Sequence, residues 1–90
     1  EFFLIEVKVD REVRQAKLIN LTKSIVLKET DTKIFSWFGE LNSEDEILIK
    51  VKAKNGLSAF KIIKIDNVED DTIKYKEDEI TFVVNEANYG

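Results

Sequence analysis

Ninety residues bound this chain to one domain over 1–90 with a limited core. A 43% hydrophobic and 36% charged composition is that of a folding chain, not a disordered one. With no Cys, His or Met there is no disulfide framework, thiolate nucleophile, imidazole base or soft metal ligand, so no cofactor is expected, no metal site is assigned, and any bound metal would need a carboxylate and carbonyl site for a hard ion such as Mg or Ca.

The net charge of −4, from 18 acidic and 14 basic residues, argues against general nucleic-acid binding, which draws on a basic surface. No apolar run approaches the roughly 20 residues that span a bilayer, and no basic-then-apolar leader marks a signal peptide. The expectation is a cytoplasmic protein without a membrane partner, which the lack of Cys also fits.

In chain order, residues 2–9 (FFLIEVKV) alternate, with Phe3, Ile5, Val7 and Val9 on one face, and predict a strand. Asp10 then serves as N-cap for a helix over about 11–23, where Val13, Ala16 and Ile19 recur at three-residue spacing. The alternative makes VRQAKLINL the second strand of a hairpin. SIVLKET (24–30) is β-branched and reads as strand, continued by KIFSWF (33–38) after a polar interruption at Asp31-Thr32. The aromatic run breaks at Gly39, and Gly39 to Asp45 reads as an acidic turn. EILIKVKA (46–53) is the clearest strand: Ile47, Ile49, Val51 and Ala53 face one way, Leu48, Lys50, Lys52 and Lys54 the other.

Asn55-Gly56 favours a hairpin turn, and LSAFKIIKI (57–65) reads locally as strand, with a helix from near Ser58 as the alternative. NVEDD (67–71) is an acidic loop, DTIKYKEDEITFVV (71–84) contains a final strand, and the rest is a polar tail ending at Tyr89 and Gly90.

Three groups of side chains invite a functional reading. Phe35, Trp37 and Phe38, with Tyr89, are candidate interface anchors, since buried aromatics dominate such contacts; ordinary core packing is the alternative. Glu44, Asp45 and Glu46, and separately Glu69, Asp70 and Asp71, are carboxylate runs without the spacing of a calcium loop, and read as solvated turn charge. Lys50, Lys52 and Lys54 form a basic stripe able to bind an anion, with Lys61 and Lys64 near in sequence; the competing reading is the solvent face of a half-buried strand. No base and nucleophile pair up, and Gly39, Gly56 and Gly90 are too scattered for a phosphate loop, so an enzyme is not expected.

The segment holding Trp37, Gly39, Glu40, Leu41, Glu46, Ile47, Leu48 and Lys52 resembles the CutA family of divalent-cation tolerance proteins. Tyr75 followed by Glu79-Ile80 and TFVV matches the family at a second place, and VDREVRQA looks like its first strand and helix start. The family's Cys before the second strand, and its His-Pro and Pro near the end, are missing here.

The resemblance implies an α+β, ferredoxin-like βαββαβ fold: a four-stranded antiparallel sheet with two helices on one face, one of them over 57–68. It further implies a homotrimer whose subunit cleft binds a ligand through Trp37, Glu40, Lys52, Tyr75 and Glu79. Copper is not expected, because no Cys, His or Met remains. The alternative is a mostly-β small sheet or barrel, an interaction module that uses Lys50, Lys52 and Lys54 to bind an acidic protein or nucleic acid.

Overall fold

The computed structural model describes residues 1–66 and 70–90 and contains eight strands and no helix among them. The strands are β1 Phe2–Val9, β2 Val13–Asn20, β3 Ile25–Thr30, β4 Ile34–Glu40, β5 Glu46–Ala53, β6 Ser58–Lys64, β7 Asp70–Glu77 and β8 Ile80–Asn88. They form two four-stranded antiparallel sheets, ordered β4-β1-β8-β7 and β3-β2-β5-β6. The sheets share one apolar core: Phe3, Ile5, Val7, Phe82 and Val84 from the first meet Val13, Leu18, Ile47, Ile49 and Val51 from the second. The molecule is a β-sandwich. Each edge strand of one sheet runs near an edge strand of the other, β3 by β4 and β6 by β7.

This overturns the ferredoxin-like α+β expectation and with it both helices. The helix expected over about 11–23 is β2, the hairpin-strand alternative. Its three-residue spacing has a different origin: the β2–β5 register shifts between Val13 and Gln15. A bulge adds one residue, so Val13 and Ala16 both face the core although three apart. Past the bulge the period returns to two, with Ala16, Leu18 and Asn20 inside and Ile19 turned outward. The helix that the resemblance required over 57–68 is β6, as the local reading of 57–65 had it. Gly56 (φ +93°) makes the preceding turn, whose Asn55 Oδ1 accepts a hydrogen bond from the Leu57 N–H at 3.1 Å.

Other corrections concern connections. KIFSWF does not continue SIVLKET: β3 and β4 belong to different sheets, and Asp31 to Lys33 form the corner between them. β4 runs through Gly39 and ends at Glu40, so the break falls later than the glycine. The final strand expected within 71–84, at ITFVV (80–84), is the start of β8; the residues before it form a further strand, β7, because Asp78 adopts a left-handed backbone (φ +56°) and turns β7 into β8. The tail is also structured: Asn85 to Asn88 extend β8 along β1, and Tyr89 N–H donates to the Phe2 carbonyl at 2.8 Å. The acidic loop expected at 67–71 is in part β7, and residues 67–69, including Glu69, lie outside the described residues. Among the described residues no helix is long and apolar enough to cross a membrane.

Candidate functional site: the outward face of the β3-β2-β5-β6 sheet

Alternation along β5 points Ile47, Ile49, Val51 and Ala53 into the core and leaves Leu48, Lys50 and Lys52 on the opposite face. Register then builds a surface around them. Val26 of β3 lies opposite Ile19 of β2, Ile19 opposite Leu48 of β5, and Leu48 opposite Ile62 of β6. An apolar row therefore crosses all four strands. Its outer members are exposed, Val26 at 54% and Ile62 at 44%. The next row is Glu29, Lys17, Lys50 and Phe60, and the one beyond holds Gln15, Lys52 and Ser58.

The charges on this face are unequally matched. Glu29 accepts from Gln15 Nε2 at 2.9 Å and lies 4.0 Å from Lys17 Nζ. Lys64 meets Glu44 of the neighbouring loop at 3.7 Å. Lys50 and Lys52 have no acidic partner within ion-pair distance among the described residues. A shallow concavity of ≈ 270 Å³ is lined by Lys50, Ser58, Ala59, Phe60, Glu77 and Asp78.

Of the sequence-predicted anion stripe, Lys50 and Lys52 share this face. Lys54 does not: β5 ends at Ala53, and Lys54 sits in the following turn, where its N–H donates to the Glu12 carbonyl at 3.1 Å. Lys61 points the other way, toward Glu77 (3.5 Å) and over the Tyr75 ring (5.3 Å). The sequence reading missed Lys17, Ile19, Val26 and Ile62. Alternation through Gln15, Lys17 and Ile19 was the available signal, hidden by the bulge ahead of it.

The residues carried over from the family resemblance are not gathered into a cleft. Trp37 on β4 and Tyr75 on β7 occupy opposite edges of one sheet, with β1 and β8 between them. Lys52 is on the other sheet, Glu40 is exposed at the end of β4, and Glu79 is in the β7–β8 turn, its carbonyl accepting from Arg11 Nη2 at 2.5 Å.

Among the interface candidates, Phe35 is buried and Trp37 packs against the core. Phe38 and Tyr89 are exposed on the outward side of β4 and beyond β8. With Phe2 they form an aromatic group: Phe2 and Phe38 stack at 5.8 Å between centroids, and Phe38 meets Tyr89 edge-on at 5.8 Å.

Of the carboxylate runs, Asp45 is buried and structural, and Glu44 and Glu46 are exposed turn residues. Among the described residues no three acidic side chains group as they would around a metal ion. Comparison with protein-family models, with curated proteins and with solved structures finds no match. The homotrimer rested on the ferredoxin-like fold and loses its basis with it.

Proposed function

We propose that this β-sandwich is a non-catalytic binding module whose β3-β2-β5-β6 face engages an acidic protein partner. The observation that carries the reading is the apolar row Val26–Ile19–Leu48–Ile62 running beside Lys17, Lys50 and Lys52, on a chain whose net charge is −4. An apolar strip beside Lys50 and Lys52, which have no acidic partner among the described residues, matches a partner strand or helix that carries both apolar and acidic side chains. Single-stranded nucleic acid is the poorer match, because stacking needs several aromatic platforms and this face offers only Phe60.

The test is fluorescence anisotropy with a labelled peptide alternating Glu and Val, compared with an oligothymidylate of similar length. The peptide binds, binding weakens with salt, and the variant carrying Lys17→Glu, Lys50→Glu and Lys52→Glu loses it while keeping its unfolding midpoint. Tighter binding of the oligonucleotide, or no binding of either probe at low salt, overturns the reading.

A further inference from the structure

A sandwich of two open sheets has four edge strands, and an unprotected edge is a template for another strand. Three of the four edges here carry a protective device. The β2–β3 register is broken by an irregularity between Leu18 and Ile19, which bends β3. β6 turns Lys61 inward, against Glu77. β7 is charged along most of its length, with Asp70, Asp71, Lys74, Lys76 and Glu77.

β4 has none of these. Ile34 to Gly39 contains no charge and no proline, the β1–β4 register is unbroken, and no residue of β4 has positive φ. The free side of this strand also has a defined hydrogen-bond phase. Val9 N–H donates to the Lys33 carbonyl at 2.8 Å. Alternation of an antiparallel ladder then points the backbones of 33, 35, 37 and 39 at β1, and those of Ile34, Ser36 and Phe38 away from the sheet. Thr32 Oγ1 donates to the outward Ile34 carbonyl at 3.0 Å, which leaves that carbonyl its second lone pair for a strand on the free side.

We infer that β4 pairs with β4 of a second copy of this chain, antiparallel, with Ser36 on the two-fold axis. Pairing about Ser36 sets apolar against apolar at every flanking position of IFSWF. Ser36 faces Ser36 of the other copy, Ile34 faces Phe38, and Phe35 faces Trp37, each in both directions, as an isologous interface demands. The small hydroxyl falls where the two chains must approach on the axis. Ile34, exposed at 59%, packs beside the other copy's Phe38, exposed at 57%, and so joins its Phe2–Phe38–Tyr89 aromatic group. A heterologous strand would satisfy the same backbone groups, but a second copy also brings its own exposed Ile34 and Phe38 to cover those of the first. The two four-stranded sheets become one of eight strands.

The chain has no cysteine, so Ser36→Cys supplies the only thiol. Paired residues in the hydrogen-bonded phase have Cα atoms about 5.5 Å apart, within disulfide range. Under mild oxidation Ser36→Cys forms a covalent dimer at least about tenfold faster than Lys74→Cys, an exposed position on the opposite edge. By sedimentation equilibrium the wild-type chain is a concentration-dependent dimer. Ser36→Lys, which sets two like charges face to face, raises the dissociation constant at least about tenfold, with an unchanged thermal midpoint at dilutions where both proteins are monomeric. A wild-type chain monomeric at about millimolar concentration, a trimer, a dimer indifferent to Ser36→Lys, or equal cross-linking of the two cysteine variants each overturns the inference.

Discussion

Asn20 Nδ2 donates to Asp45 Oδ2 at 3.0 Å, and these are the two buried polar side chains among the described residues. The pair fastens three segments. Asn20 Oδ1 accepts from the Lys23 N–H in the β2–β3 turn, while Asp45 Oδ2 accepts from the Asn42 N–H in the β4–β5 loop. The Asp45 carbonyl also accepts from Ile65 N–H at 2.8 Å, just past the end of β6. Burial pushes the Asp45 carboxyl up. The Asn42 N–H, the Asn20 amide and the Lys23 ammonium together outweigh burial and hold it below the ordinary value of 3.8.

Asp45→Ala therefore costs about 2–3 kcal/mol, because it leaves the buried Asn20 amide unpaired. A carboxyl whose pKa is depressed by folding gives stability that is present above its unfolded pKa and is lost as pH falls through the folded one. The gap in urea-unfolding free energy between wild type and Asp45→Asn accordingly narrows as pH drops below 3.8.

Gly39 lies beneath the indole of Trp37, two residues away on the same face of β4. A Cβ added there would sit 2.7 Å from Trp37 Cη2, closer than side chains pack. Gly39→Ala must displace the ring from the core, at about 1–3 kcal/mol. Trp37 is the only tryptophan, so its emission reports the event directly. The variant shows a red-shifted native spectrum and a lower denaturation midpoint.

What the sequence made legible follows from which forces act locally. The inward faces of β1 and β5 were readable because a period of two depends only on the strand itself, and all eight predicted inward residues are buried. The Asn55-Gly56 turn was readable because a left-handed backbone selects those residue types. β2 was ambiguous because a bulge imitates helical spacing, and only pairing with β5 reveals it. Assignment to sheets was not legible at all: β3 and β4 are separated by three residues, yet no local rule says that the chain changes sheets there. The lysine face was half legible for the same reason. Lys50 and Lys52 share a strand, whereas Lys17 and the apolar row join them through register alone.

The outward apolar row contributes little to folding. Val26 and Ile62 remain about half exposed in the native state, so Val26→Ser and Ile62→Ser forfeit only a fraction of the burial energy of a core residue. Each lowers the free energy of unfolding by less than about 1 kcal/mol, whereas Ile49→Ala, fully inside, costs about 2–5 kcal/mol. Guanidinium denaturation of the three variants separates these outcomes. Apolar side chains that stabilise the fold so weakly are those expected of a contact surface.

The inward phase of β8 ends on a carboxylate. Glu86 follows Phe82 and Val84 on the core side, opposite Ile5 of β1 and Asp71 of β7. Burial chiefly, then the charges of Asp66 and Asp71, push it up to about 7 from an ordinary 4.5. Tyr75 is raised as well, by burial first and then by Glu86 and Asp71. For an acid whose folded pKa is raised, the native state holds the proton that the unfolded state has lost. Stability therefore falls as pH rises from 4.5 to about 7 and stays low above it. Glu86→Gln keeps the shape and removes the charge. It stabilises the protein at pH 8 by about 1–2 kcal/mol, a figure reduced for solvent screening of a partly exposed group, and has almost no effect at pH 4. Thermal unfolding of wild type and variant between pH 4 and 8 gives midpoints that coincide at the acid end and diverge through neutrality. Parallel curves would place Glu86 in solvent, outside the field of Asp71.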